Sequence, residues 1–347
     1  MEEFPNHPYR TLSARAFWRG SVGSRHYADL TDLWSPVSIK QSDRIATAGS
    51  CFAQHIGNSL ARRGANFIDM EPPPSFLAQP TEARRWGYGL FSCRYGNIYT
   101  ARQLVQLFDE AFGVRCPEDR VWERHGRFFD ALRPSTDPVG QATAEAVLAL
   151  RERHLLAVKR MFVELDLFVF TLGLTEAWEA IGDGTVYPSA PGVVAGRYRP
   201  ESYRFCNFRY VDVMRDMVGF WERLRAVNPS ARMLLTVSPV PLAATASDNH
   251  VLVANTYSKS VLRAVAGDLA CDFEEVHYFP SYEIVASHPS RAMFFDPGLR
   301  DVNVVGVDFV MKHFFSGGLM KEFERERSDS SSDLDLELIC DEALTDP

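Results

Sequence analysis

The sequence predicts an α/β protein: a doubly wound parallel sheet of about five strands, covered by helices on both faces as a three-layer α/β/α sandwich with long insertions. Three observations carry this. Apolar runs of strand length recur along the chain, segments of helical periodicity separate them, and the first run empties through a glycine corner into a helix. Such alternation implies right-handed crossovers between parallel strands.

The first run is RIATAGS, 44–50. CFAQHIGNSLARRG follows, apolar at 52, 53, 56, 60 and 61 and closed by Gly64, the pattern of a helix with a glycine stop. NFIDM (66–70) is the second expected strand, LDLFVFTLGL (165–174) the third, ARMLLTVSPVPL (231–242) the fourth and EEVHYFPSYEIV (274–285) the fifth. Helices are expected over 141–163, 209–227 and 251–268, each ahead of a strand, and over 303–315 after the last. Two stretches break the alternation: 71–140, with EPPPSF, several aromatics and the helix TARQLVQLFDEAF, and 179–208, rich in Gly, Pro and Tyr. Segments of that length are expected to be functional covers or small subdomains. The expected organisation is one domain over 1–320 and an acidic, mobile tail over 321–347.

Composition narrows the function. At 347 residues and 46% hydrophobic, the chain can bury a large core. A net charge of −8 argues against a nucleic-acid groove, which needs a basic surface, and pairs such as Arg62-Arg63 and Arg84-Arg85 read as solvated helix faces. No apolar run has the length of a membrane span, and MEEFPNHPYRTLSARAFWRG lacks the basic start and apolar run of a signal peptide. The six cysteines (51, 93, 116, 206, 271 and 340) form no C-x-x-C pair, so a zinc knuckle or redox dithiol is not expected. Thiols of a reducing, cytoplasmic compartment are. No His/Asp/Glu cluster has ligand spacing, so neither metal nor cofactor is expected. The oligomeric state is not legible.

In an open α/β sheet, chemistry belongs beyond the carboxyl ends of the strands. Gly49-Ser50-Cys51, Gly173-Leu174-Thr175-Glu176 and Ser238-Pro239-Val240 lie there. A nucleophile on a strand-to-helix turn has unpaired helix N–H groups beside it, which stabilise an oxyanion and favour a thiolate. Gly49 lets backbone and substrate approach closely. The bland reading of the same corner is that Ser50 caps the helix and Cys51 fills the core.

GSCFA at 49–53, followed in order by TLGLTEAW (171–178), SPV (238–240), YSKSVL (257–262) and YFPSYEI (278–284), resembles the GSCFA family over about residues 5–315. That family is similar to the SGNH, or GDSL-type, hydrolases: esterases, lipases, deacetylases and some acyltransferases on a three-layer α/β/α sandwich. The resemblance implies a reaction class and no particular substrate. The SGNH pattern Gly-x-Ser puts the nucleophile two residues past Gly49, at Cys51, a sensible exchange because a thiol is the better nucleophile at neutral pH. Slipping the register by one makes it Ser50. The second-block glycine matches Gly96 in YGNIYT, with Gly89 as the alternative. The block Gly-x-Asn matches Gly173-Leu174-Thr175, so the Thr175 hydroxyl replaces the asparagine of the oxyanion hole, together with the N–H groups of 50–51 and 96. Glu176 beside it is either catalytic or a first-turn carboxylate placed by the helix dipole.

The last block departs from the pattern. Where SGNH enzymes carry Asp-x-x-His before the final helix, this chain has FFDPGLRDVNVVG, and aligning Gly306 puts Asp301 in place of the histidine. A carboxylate is a poor base for a hydroxyl at pH 7. His250 is therefore the provisional base, with His55 and His288 behind it and Asp301 or Asp296 orienting a histidine. His277, inside a strand, reads as structural, and Lys259 as an anion contact or a cover of the helix face.

Two functions are weighed. One is acyl transfer: hydrolysis of a small ester, or movement of an acyl group from a donor onto a glycan hydroxyl, through Cys51 or, failing it, Ser50. The other is a non-catalytic carbohydrate- or acyl-donor-binding protein, using a cleft walled by aromatics such as Trp86, Tyr88, Tyr95 and Trp178. The missing histidine favours binding, and the paired nucleophiles on a glycine corner favour the enzyme. A redox-sensitive thiol protein rests on Cys51 alone.

Overall fold

The computed structural model describes residues 7–35, 37–77 and 79–316. Along the chain run β1 (Ile45–Gly49), α1 (Ala53–Arg62), α2 (Pro80–Arg85), α3 (Ala101–Ala111), β2 (Val121–Arg124), β3 (Arg127–Asp130), α4 (Ala144–Glu164) and β4 (Leu167–Leu172). Then follow β5 (Glu176–Ala180), β6 (Val186–Tyr187), β7 (Tyr203–Asn207), α5 (Tyr210–Val227), β8 (Arg232–Val237), α6 (Val251–Asp272), β9 (Val276–Phe279), α7 (Ser281–Ala286) and α8 (Val304–Phe315). The expected tail over 321–347 lies outside the described residues.

β1, β4, β8 and β9 pair in parallel, in that spatial order, with Gly49 opposite Thr171 and Leu172 opposite Val237. The strands alternate between two cores, as the period of two requires. Ala46, Phe168, Phe170, Met233 and Leu235 face one core, shared with α3, α4, α5 and α6. Ile45, Leu167, Val169 and Leu234 face the other, shared with α1, α7 and α8. Helices thus cover both faces of a mixed α/β molecule, and every residue of β4 is buried. Phe162, Phe168 and Phe220 pack ring against ring with centroids 5.6 Å apart in each pair. No described helix is long and apolar enough to cross a membrane.

Three expectations need correcting. The sheet has four strands, because 66–70 contributes only a parallel bridge between Phe67 and Ile45. Glu71 and then Pro72, Pro73 and Pro74 follow it; prolines have no N–H to extend a ladder. The fifth strand stops at Phe279, and after Pro280 the segment SYEIVA turns helical as α7. Glu176 opens strand β5, paired with Asn207, so no helix dipole acts on it.

The two insertions have their own structure. Within 71–140, α3 starts on a capping box in which Thr100 and Gln103 satisfy each other's backbone N–H groups, and β2–β3 form a hairpin. β5, β6 and β7 form a separate three-stranded antiparallel sheet on the exit of β4.

Candidate functional site

β1 leaves the sheet at Gly49 with φ +135°, where an added Cβ would lie 2.4 Å from the Thr171 carbonyl oxygen. Only glycine lets the two strands run this close at the exit. Ser50 N–H then donates to the same Thr171 oxygen at 3.1 Å, and Cys51 and Phe52 turn the chain into α1. β4 leaves through Gly173, where an added Cβ would meet Ser50 Cβ and the Tyr99 carbonyl oxygen, each at 3.0 Å. YGNIYT closes over both exits. Ile98 N–H donates to Gly49 O at 2.8 Å, and Tyr99 O accepts the N–H groups of Gly173 and Leu174, each at 3.1 Å. The chain passes from β1 to the bridge at Phe67 on one side and reaches β4 on the other, so this crevice is the switch point of the sheet, where α/β proteins bind ligands.

Ser50 and Cys51 are both buried, at 2% and 3% exposure, but in different surroundings. Cys51 belongs to the apolar cluster of Phe52, Ile56 and Val240. Ser50 packs against Gly173, and its Oγ has no hydrogen-bond partner among the described residues. From α6, the YSKS segment grips the β4 exit: Ser258 Oγ accepts Thr175 N–H at 3.0 Å, and Lys259 Nζ donates to Gly173 O at 2.7 Å. Lys259 is 1% exposed. It therefore covers no outer face of the helix, and it reaches the residue against which Ser50 rests. Its signal in the sequence is the helical register: Leu262 and Ala266, three and seven residues on, are fully buried and share its stripe.

The model of the GSCFA family matches residues 44–314, from the residue before β1 into α8. The chain belongs to the GSCFA family. No curated protein matches it.

Other residues singled out in this GSCFA chain are engaged in contacts of their own. Thr175 is fully buried, and its hydroxyl donates to Asn207 Oδ1 at 2.7 Å, towards β7. Gly96, at φ +68°, packs on Thr136 and Arg133, while Gly89 has open space around it. His250 is exposed at the N-cap of α6, where its Nδ1 accepts Leu252 N–H at 3.2 Å. His288 is exposed and stacks on Trp18, with centroids 5.3 Å apart. Asp301 is exposed beside Arg300, and its carbonyl accepts Asp296 N–H at 2.9 Å. His55 lies edge-on to Phe52; burial, then Arg84 and Arg62, push its pKa down to about 4. Burial also lowers His277, with Arg232 adding to the effect. Among the described residues, no hydrogen bond joins any of these histidines, or Asp301, to the Ser50 hydroxyl.

Next to the corner, beyond Tyr99 and Leu174, is a pocket of about 230 Å³. Glu176, Trp178, Ser189 and Phe205 line it. Burial raises the Glu176 pKa against the opposing hydrogen bonds from the Thr245 hydroxyl and Ala246 N–H. The four aromatics expected in one cleft are dispersed. Trp178 lines this pocket, Trp86 and Tyr88 line another, and Tyr95 is buried with its hydroxyl on Thr47 O. Among the described residues, no group of three or more His, Cys, Asp or Glu is gathered to hold a metal ion.

Proposed function

We propose that this GSCFA protein is an acyl-transfer enzyme that hydrolyses an ester or passes an acyl group to an acceptor hydroxyl, as on a carbohydrate. The observation that carries the reading is Ser50: a buried hydroxyl with no partner among the described residues, on a glycine corner at the switch point, beside the residue held by Lys259. A buried hydroxyl left unsatisfied costs about 1–3 kcal/mol, and Ser50 carries its own at the strand exits, where α/β proteins bind ligands.

In this reading Ser50, rather than Cys51, attacks. Its oxygen bonds to the acyl carbon while its proton passes to the Lys259 amine, which serves as base only in its neutral form and has to move from Gly173 O to within hydrogen-bond reach of Ser50 Oγ. The same proton then goes to the departing alkoxide. Water or an acceptor hydroxyl repeats the step in reverse and frees Ser50. The N-terminal turn of α1 provides positive potential at the developing oxyanion. Substrate occupies the Glu176–Trp178 pocket, and Tyr99, which stands between, must shift to admit it.

The test is intact mass after incubation with short activated esters and acyl-coenzyme A. Wild type and Cys51→Ala are expected to gain an acyl group, while Ser50→Ala and Lys259→Met do not. Acylation that survives in Ser50→Ala but is lost in Cys51→Ala would move the attack to the thiol. The second reading, a binding protein, is favoured by the exposed Asp301 at the position where SGNH enzymes carry a histidine. Wild type that never carries an acyl group, yet binds the donors, supports it.

A further inference from the structure

Within the 71–140 segment and against α4, away from the corner, a second pocket contains a cation with no carboxylate in contact among the described residues. Its volume is about 270 Å³, and Phe76, Trp86, Tyr88, Phe128 and Leu150 wall it, with Arg94 among the lining residues. It shares no lining residue with the Glu176–Trp178 pocket. Arg94 donates from Nε and Nη2 to Trp86 O, at 3.0 and 2.7 Å, and from Nη2 to Thr136 O at 3.0 Å. Its guanidinium carbon lies 4.0 Å from the Tyr88 ring centroid. These partners are carbonyls and a ring, and among the described residues no carboxylate is within ion-pairing distance of the guanidinium.

The acids that also line the space make their hydrogen bonds elsewhere, although the charges of Glu71 and Asp137 still act on the Arg94 guanidinium without contact. Asp130 accepts from Arg133 at 2.7 Å and from Arg151 at 2.9 Å. Asp137 accepts from Val139 N–H, Gly140 N–H and the Gln141 amide. A part-buried guanidinium with no carboxylate in contact is suited to a bound anion. The walls suit an apolar body: Phe76 is 83% exposed, an unusual state for a phenylalanine. Gly87, at φ +75°, holds Trp86 and Tyr88 against Thr136, since an added Cβ would be 3.0 Å from Thr136 Cβ.

We infer that this pocket binds a small amphiphilic anion, a carboxylate or a phosphate monoester, with its charge on Arg94 and its apolar body against Trp86, Tyr88 and Phe76. The site is independent of the acyl-transfer reading.

The test uses the full chain and three probes: 4-phenylbutyrate, its primary amide and 2-phenylethyl phosphate, followed by calorimetry and ligand-observed NMR. At least one anion is expected to bind, at least about tenfold more tightly than the amide, and added salt should weaken it. Which anion binds decides between carboxylate and phosphate. Arg94→Gln is expected to lose the preference over the amide. Trp86→Ala keeps the carbonyl that holds Arg94, and should weaken all three probes, so the test survives if Arg94→Gln fails to fold. Ser50→Ala should bind as wild type does. Equal binding of amide and anions, no binding of any probe, or folded Trp86→Ala binding like wild type would overturn the inference.

Discussion

Gly49 and Gly64 both have positive φ, +135° and +75°, but their surroundings differ. A Cβ at 49 would strike the Thr171 backbone, whereas at 64 there is nothing within 4 Å. Gly49→Ala should therefore cost about 2–4 kcal/mol, and Gly64→Ala about 1 kcal/mol, from its backbone conformation alone. Urea denaturation of the two variants checks this. The neighbouring pair behaves differently again. Ser50 Oγ has no partner among the described residues, so Ser50→Ala should leave stability unchanged or raise it. Cys51→Ser puts a hydroxyl into an apolar cluster and should cost about 1–3 kcal/mol. If Ser50→Ala proved strongly destabilising instead, Ser50 would be a structural residue and the acyl-transfer reading would lose its main support.

Among the elements, α4 is where charge holds the fold. Arg151 pairs with Glu110 of α3 and with Asp130 at the end of β3, and Arg133 pairs with Asp130 as well. One helical turn beyond Arg151, His154 Nδ1 meets Glu71 at 2.6 Å. Burial raises Glu71, but His154, Arg133 and Arg94 N–H outweigh it and hold the carboxylate low. These contacts tie the 71–140 segment to the helix. Arg151→Met would leave two buried carboxylates short of their partner and should cost about 3–5 kcal/mol. Adding Glu110→Gln and Asp130→Asn should restore part of that, measured by the same denaturation. If Arg151→Met alone were neutral, the network would contribute nothing to holding the segment.

Over the whole molecule, acid should destabilise the fold in two stages. His55 is pushed down to about 4 and His154 is lowered too, in both cases mainly by burial. An unfolded histidine titrates near 6.5. Each therefore contributes stability that is complete above about pH 6.5 and lost as the pH falls towards the folded value, because the unfolded chain takes up protons first. Asp130 is raised by burial but lowered further by Arg151 and Arg133, to about 2, so its contribution is present above the usual carboxylate range and lost below it. The melting temperature should be flat near neutrality, decline from about pH 6.5 and fall steeply below about pH 4. His55→Gln should reduce the first slope by about one proton. A melting temperature constant from about pH 7 to 5 would show that neither histidine is held neutral.

Sequence alone determined the local features of this protein. The helices over 141–163, 209–227 and 303–315 appear as α4, α5 and α8 within a few residues, and the runs at 44–50, 165–174 and 231–242 contain β1, β4 and β8. The corner at Gly49 was legible because a glycine between an apolar run and an amphipathic helix is a local signal. Periodicity and capping depend on residues a few positions apart, which is why they can be read along the chain. Tertiary structure decided the rest. Whether 66–70 forms a strand depended on a bridge to Ile45, and Glu176 became a strand residue by pairing with Asn207. Ser50 and Cys51 are adjacent in sequence, yet only the approach of Gly173 and Tyr99 on one side, and of the apolar cluster on the other, gave them different surroundings. Lys259 meets Gly173 across 86 residues. Contacts over such separations depend on how the helices pack on the sheet, and no short-range pattern contains that information.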